Sequence, residues 1–154
     1  FTIGFVVDES ARNEIINNIE VDLSTNHLYK ILVVEDNKIN QVVTKKILQN
    51  NNFVCKVVDD GYTAIDLLET EKYDLILMDI NMPVINGFET TKLIRKKGYT
   101  IPIVALTAFD KQEISEQALS CGMNDVIIKP FDSSRLIMII NNSIQNTNYE
   151  PKTS

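Results

Sequence analysis

Short continuous apolar runs alternate along this chain with stretches in which apolar residues return every three or four positions. The first run, Ile31-Leu32-Val33-Val34, is β-branched-rich and has no polar alternation, so residues 31–35 predict a strand buried on both faces. Ile39, Val42, Val43, Ile47 and Leu48 follow at helical spacing. Asp36 or Asn37 can cap that helix, and Asn50-Asn51-Asn52 ends it. Phe53-Val54-Cys55-Lys56-Val57-Val58 predicts the next strand, and Ala64, Ile65, Leu67 and Leu68 mark a short helix. The run Asp74-Leu75-Ile76-Leu77-Met78-Asp79 leads through Met82-Pro83 into a helix over about 87–97, with Phe88, Leu93 and Ile94 on its inner side. Residues 102–107 predict a fourth buried strand. Asp110 and Glu113 fit a capping box for a helix reaching about Ser120, with Gly122 as its stop. Val126-Ile127-Ile128 is the last strand, and Ser133 or Ser134 caps a final helix carrying Leu136, Ile137, Ile139 and Ile140.

Strand-helix units of this length allow only crossover connections, which implies an α/β fold: a parallel sheet with helices on both faces. Ligands of such sheets bind at the carboxyl ends of the strands. Glu35, Asp36, Asp79, Thr107 and Lys129 all lie at or just past predicted strand ends, so one edge of the sheet gathers them. Residues 1–29 fall outside the alternation and read as a linker, with a strand-like piece at Phe1-Thr2-Ile3-Gly4-Phe5-Val6-Val7 and a weak helical pattern around Ile15, Ile16 and Ile19. Residues 146–154 read as a polar tail.

Composition narrows the class. A length of 154 residues, 44% hydrophobic and 23% charged, suits one soluble globular domain. No apolar run approaches a membrane span and no basic signal-peptide region opens the chain, so a cytoplasmic location is expected. A net charge of −6 argues against a nucleic-acid partner; Lys45-Lys46 and Arg95-Lys96-Lys97 read as solvated helix faces. Cys55 and Cys121 have no metal-ligand spacing and read as small packing residues in a reducing compartment. His27, the one histidine, stands in a polar stretch that gives it no metal or relay role.

Three carboxylates at one edge repel one another, and a hard divalent cation with oxygen ligands relieves the repulsion. Mg2+ held by Asp36 and Asp79, with Glu35 reaching it through water, leaves room for phosphoryl oxygens. Lys129 could neutralise one such oxygen and the Thr107 hydroxyl could bond another, which is the positioning that phosphoryl transfer requires. Asp79 would be the nucleophile, forming an acyl phosphate. Three other readings compete. The acids could simply cap helices; the chain could be a phosphatase of the haloacid dehalogenase type; or it could bind a nucleotide. The second usually needs an Asp two residues after the nucleophile, where this chain has Asn81, and the third lacks GxGxxG after the first strand.

The ordered motifs Val33-Val34-Glu35-Asp36-Asn37, Leu77-Met78-Asp79-Ile80-Asn81-Met82-Pro83 with Gly87, Ala105-Leu106-Thr107-Ala108 and Ile128-Lys129-Pro130-Phe131 resemble the receiver domain of two-component response regulators over residues 30–145. The resemblance implies a flavodoxin-like (βα)5 doubly wound sheet in strand order 2-1-3-4-5. It also implies that Asp79 accepts a phosphoryl group from a histidine kinase or histidine phosphotransfer protein with Mg2+ present, that the Asn81 backbone carbonyl completes the metal ligands, and that Lys129-Pro130 is a cis peptide. The remaining alternative is a degenerate receiver acting as a phosphorylation-independent binding module, which the intact key residues argue against. The family often carries Tyr or Phe three residues before the lysine; Val126 stands there, so a weakened or altered switch is expected, with spectra of the surface built on the fourth helix, fifth strand and fifth helix little changed by an acyl-phosphate mimic. Phe109, two residues past Thr107, is expected to flank the site. The stretch from Lys30 to Gln41 is also similar to receivers fused to the C-terminus of hybrid sensor kinases, and Phe1-Thr2-Ile3-Gly4-Phe5 resembles the closing strand of a kinase ATP-binding domain. That context places the segment in the cytosolic part of a longer protein that could be membrane-anchored; a monomer or weak dimer with no direct nucleic-acid or membrane contact by this segment is expected.

Overall fold

The computed structural model describes residues 28–149. The expected linker, apart from Leu28 and Tyr29, lies outside them together with its strand-like and helical pieces and His27, and so do residues 150–154. The strands are β1 (Lys30–Val34), β2 (Val54–Val58), β3 (Leu75–Asp79), β4 (Ile103–Thr107) and β5 (Asp125–Ile128). The helices are α1 (Lys38–Asn50), α2 (Gly61–Thr70), α3 (Gly87–Lys96), α4 (Gln112–Ser120) and α5 (Ser133–Tyr149). All strand pairings are parallel and the sheet order is β2-β1-β3-β4-β5, as the resemblance implies.

Alternate residues of each central strand serve opposite faces. Leu32, Val34, Ile76, Met78, Ile103 and Ala105 pack with Ala64, Leu68, Phe88, Ile94 and Ala118 of α2, α3 and α4. Ile31, Val33, Leu75, Leu77, Val104 and Leu106 pack with Leu48, Leu136, Ile139 and Ile140 of α1 and α5. This two-sided burial is why the strands read as unbroken apolar runs. Where β2 forms an edge, the run weakens: Val54 and Lys56 are exposed.

Local chemistry fixes the helix starts, and in places corrects the sequence reading. Asn37, Asp60 and Asn86 each accept a bond from the backbone N–H three residues on, the N-cap geometry that satisfies an otherwise orphaned donor. The Asp110–Glu113 capping box does not form. Lys111 occupies the cap with no side-chain bond, which moves Glu113 one position too close for a capping box but leaves it in the first turn, where its charge meets the positive end of the helix dipole. At α5 the cap is Asp132 rather than Ser133 or Ser134: its Oδ1 accepts from Arg135 N at 2.8 Å, a bond for which an aspartate reaches as well as serine. α5 also runs to Tyr149, so residues 146–149 extend the helix instead of starting a tail. Leu93 is exposed although it keeps the α3 spacing, and Ile39, Val42 and Val43 of α1 point away from the core, at 73%, 65% and 49% exposure. Periodicity located these helices but overstated the width of their buried stripes.

Gly87 has a steric reason to be glycine. A Cβ there would stand 2.5 Å from the Asp79 carbonyl oxygen, so its absence lets the start of α3 approach the end of β3. Among the described residues no helix is long and apolar enough to cross a membrane.

Candidate functional site

Glu35, Asp79 and Lys129 each fall two residues after a core residue of the α1/α5 face, Val33, Leu77 and Ile127 respectively. Strand periodicity therefore turns them to the same side at the carboxyl edge. Backbone bonds continue the sheet just past its strands, from Glu35 N to Val58 O at 3.1 Å, Ile80 N to Leu106 O at 3.0 Å and Lys129 N to Thr107 O at 2.7 Å, so these side chains stand on a rigid ladder.

Oxygens of Glu35, Asp36 and Asp79 lie within 4.8 Å of one another. Glu35 is 1% and Asp79 4% exposed; Asp36 is half-buried and Asn81 exposed. Lys129, expected at this edge, is there: its Nζ lies 3.0 Å from Glu35 Oε1 and 3.6 Å from Asp79 Oδ1. Its positive charge offsets those of the two buried carboxylates. Glu35 Oε2 accepts from Asn37 N at 3.2 Å, and Asp79 Oδ1 accepts from Asn81 N at 3.2 Å. Burial pushes the Asp79 carboxyl up to about 7; its hydrogen bond with Glu35 and that neighbour's charge add to the rise, while the Lys129 ammonium and the Asn81 N–H oppose it.

An open cleft of about 460 Å³ is bordered by Glu35, Asp36, Lys38, Asp79, Asn81 and Lys129. A second, more apolar hollow of about 470 Å³ continues from Glu35 and Lys129 past Val43, Thr44, Pro130 and Phe131. Thr107 is buried, and its Oγ1 accepts from Phe109 N at 3.0 Å. Phe109 is half exposed, beside this edge. The Lys129-Pro130 peptide is cis. Val126 is half-buried and packs against the α2/α3/α4 side of the core.

Residues 31–141 match the sequence profile of the response regulator receiver domain. The chain belongs to that family. It is 41% identical over 122 residues to the osmosensing histidine protein kinase SLN1 of Saccharomyces cerevisiae, covering 72% of this chain and 10% of that protein. Hybrid signal transduction histidine kinase I of Dictyostelium discoideum is 38% identical over 124 residues, covering 75% of this chain and 7% of that one. The chain thus spans a small part of these curated relatives. Among solved structures, the receiver domain of a Pseudomonas aeruginosa sensor histidine kinase, with a magnesium ion coordinated in its active-site cleft, superposes with a TM-score of 0.72 at 39% identity, covering 77% of this chain and 99% of that one.

The receiver carries the cleft chemistry the family needs. Three carboxylates with oxygen donors only, two of them buried, suit a hard divalent cation, and no thiol or imidazole stands among them to favour a softer one. Of the residues expected at this edge, Glu35, Asp36, Asp79 and Lys129 are brought together, but the sequence reading missed two that bond Glu35: Asn40, whose amide reaches Glu35 Oε2 at 3.5 Å, and Gln41, whose amide bonds Glu35 O at 2.5 Å and Asp59 Oδ1 at 2.6 Å. Both lie on α1 positions whose spacing says only that they are not apolar.

Proposed function

We propose that this receiver is the phosphoacceptor of a two-component phosphorelay, with Asp79 as the residue phosphorylated. The observation that carries the reading is a buried carboxylate beside a lysine and two further acids at the open carboxyl edge of a parallel sheet. One Asp79 oxygen attacks the phosphorus of a phosphohistidine; the P–O bond forms as the P–N bond breaks, and the imidazole leaves and takes up a proton. Lys129 is close enough to exchange its contact with Asp79 for a phosphoryl oxygen, and Thr107 can donate its hydroxyl hydrogen to another while still accepting from Phe109 N. Glu35, Asp36, Asp79 and the Asn81 carbonyl would hold Mg2+, which when bound supplies charge neutralisation for the phosphoryl oxygens. Asn81 offers no carboxylic acid to assist a leaving group, which favours a stored acyl phosphate over turnover of the phosphatase kind. Intact acids and lysine favour the phosphoacceptor over a phosphorylation-independent binding module.

The donor is a histidine kinase or histidine phosphotransfer protein, and the parent polypeptide is a cytoplasmic portion of a hybrid sensor kinase; the relatives of this length and identity support that context. The outward apolar residues Ile39, Val42 and Val43 of α1, of which Val43 lines the hollow at Pro130 and Phe131, offer the donor an anchoring face on the side of Glu35 and Lys129. Val43→Glu is expected to slow transfer from a phosphorylated histidine phosphotransfer domain by about tenfold or more, with the rate from acetyl phosphate unchanged. Equal loss with both donors would place the defect in Asp79 chemistry and defeat the docking assignment.

Phe109 shields the cleft rim from water, so Phe109→Ala is expected to lose its phosphoryl group a few-fold faster, followed as decay of the phosphorylated mass; slower loss contradicts the role. Val126 lacks the ring that would couple the site to the α4-β5-α5 surface. The output of phosphorylation is accordingly a smaller population shift there than an aromatic residue would transmit, and a large change in the amide spectra of that surface on adding an acyl-phosphate mimic would contradict it.

A further inference from the structure

The cleft is bordered by a second lysine that phosphoryl chemistry does not require. Lys38 stands on the first turn of α1, two residues from Asp36, and lines the same cavity as Glu35, Asp36 and Asp79. Its ammonium is not among those acids. It lies 2.9 Å from Asp59 Oδ1, on the loop that follows β2. The same Asp59 oxygen accepts from Gln41 Nε2 at 2.6 Å, and that amide also donates to the backbone carbonyl of Glu35 at 2.5 Å. Asp59 is therefore fixed from two directions, and through Gln41 it is tied to the peptide that joins the two metal-site acids just past β1.

We propose that Asp59 is a positioning residue for the cation site: it gives Lys38 a partner outside the cleft and so keeps that ammonium from occupying the place of a divalent cation among Glu35, Asp36 and Asp79. The inference rests on the phosphoacceptor reading, and its logic is competition. A lysine at the lip of a cluster of carboxylates, one of them half-buried, is drawn toward them unless another anion holds it. Lys129 already spends its charge on Glu35 and Asp79, which leaves Asp36 as the acid nearest in sequence to Lys38. An ammonium placed there has to be displaced before Mg2+ can take the same oxygens. Both partners of the Lys38–Asp59 pair are well exposed, with side chains at 73% and 60%, so the pair holds the lysine with limited strength and the effect on metal affinity is modest in size and sensitive to salt. The Gln41 bond compensates in part, since it removes the freedom that Asp59 would otherwise lose on pairing.

The test is a two-by-two set of Mg2+ titrations at low ionic strength, read by calorimetry and by the amide shifts of Asp79 and Asn81, on wild type, D59N, K38A and D59N/K38A. D59N is expected to raise the Mg2+ dissociation constant about three- to fivefold, the range an exposed ion pair can supply. D59N/K38A is expected to bind as K38A does, because the competitor is gone. Unchanged affinity in D59N overturns the proposal, and so does the same weakening in both backgrounds, which would mark simple loss of one nearby negative charge. A wild type that binds no Mg2+ would instead bring down the phosphoacceptor reading on which the inference depends.

Discussion

Asp79→Asn is expected to abolish phosphoryl uptake, lowering the rate with acetyl phosphate or with a phosphorylated histidine donor by at least about a thousandfold. The amide keeps nearly the shape of the carboxyl group, so the ladder bond from Ile80 N to Leu106 O and the packing of β3 have no reason to change. What it removes is the anionic oxygen that attacks phosphorus. Incubation with Mg2+ and acetyl phosphate, followed by intact-mass measurement, should give a labile phosphoryl-sized gain in wild type and none in the variant. A gain of equal size in Asp79→Asn would move the acceptor to another residue, and absence of any gain in wild type with every donor would end the phosphoacceptor proposal. The same substitution separates chemistry from docking, since Val43→Glu is expected to spare acetyl phosphate while Asp79→Asn spares no donor.

In the absence of divalent cation, Asp79→Asn is also expected to be more stable than wild type at pH 8, by an amount on the order of 2–4 kcal/mol. The sign follows from the direction of the Asp79 shift. Burial and the neighbouring Glu35 raise its carboxyl to about 7 in the folded protein, whereas in the unfolded chain it titrates in the ordinary carboxylate range. The folded state therefore binds the extra proton between those limits. The stabilisation associated with that proton is complete below the ordinary range and is lost as the pH rises through about 7. At neutral and higher pH the wild-type fold must hold a buried carboxylate anion beside Glu35, a burden the neutral Asn does not carry. At pH 4 the two proteins should differ little. Urea unfolding across this pH range checks the claim: parallel curves for the two proteins would contradict it. Mg2+ should reverse the order at pH 8 by stabilising wild type more than the variant, because a ligand that binds only the folded state adds to its stability.

Both expectations depend on features that differ in how far they could be read from the chain. The alternation of apolar runs and helical spacing was sufficient for the sheet, because residues 31–34, 75–78 and 103–106 are buried on both faces and a central parallel strand has few other ways to be written. Strand parity then carried Glu35, Asp79 and Lys129 to one edge. Helix caps were less legible. Asp110 and Glu113 have capping-box spacing, but cap position depends on where the preceding loop delivers the chain, and that loop sets Lys111 there. The outward face of α1 was likewise hidden, since hydrophobic spacing does not say whether an apolar residue meets the core or stands open for a partner.

By itself the sequence determined the family, the order of the elements and the set of acids, hydroxyl and lysine at the strand ends, because these follow from residue type and period, which are local properties. Only the tertiary structure decided which charges neutralise one another. Lys129 lies 94 positions from Glu35 along the chain, yet stands 3.0 Å from its carboxylate, and Lys38 turns from the nearby Asp36 to Asp59 across the gap between α1 and the end of β2. Coulomb energy depends on distance in space and on burial, neither of which is written in the spacing of residues. The Asp79 at the end of β3 could thus be recognised from the chain, but its raised affinity for a proton came from the packed surroundings alone.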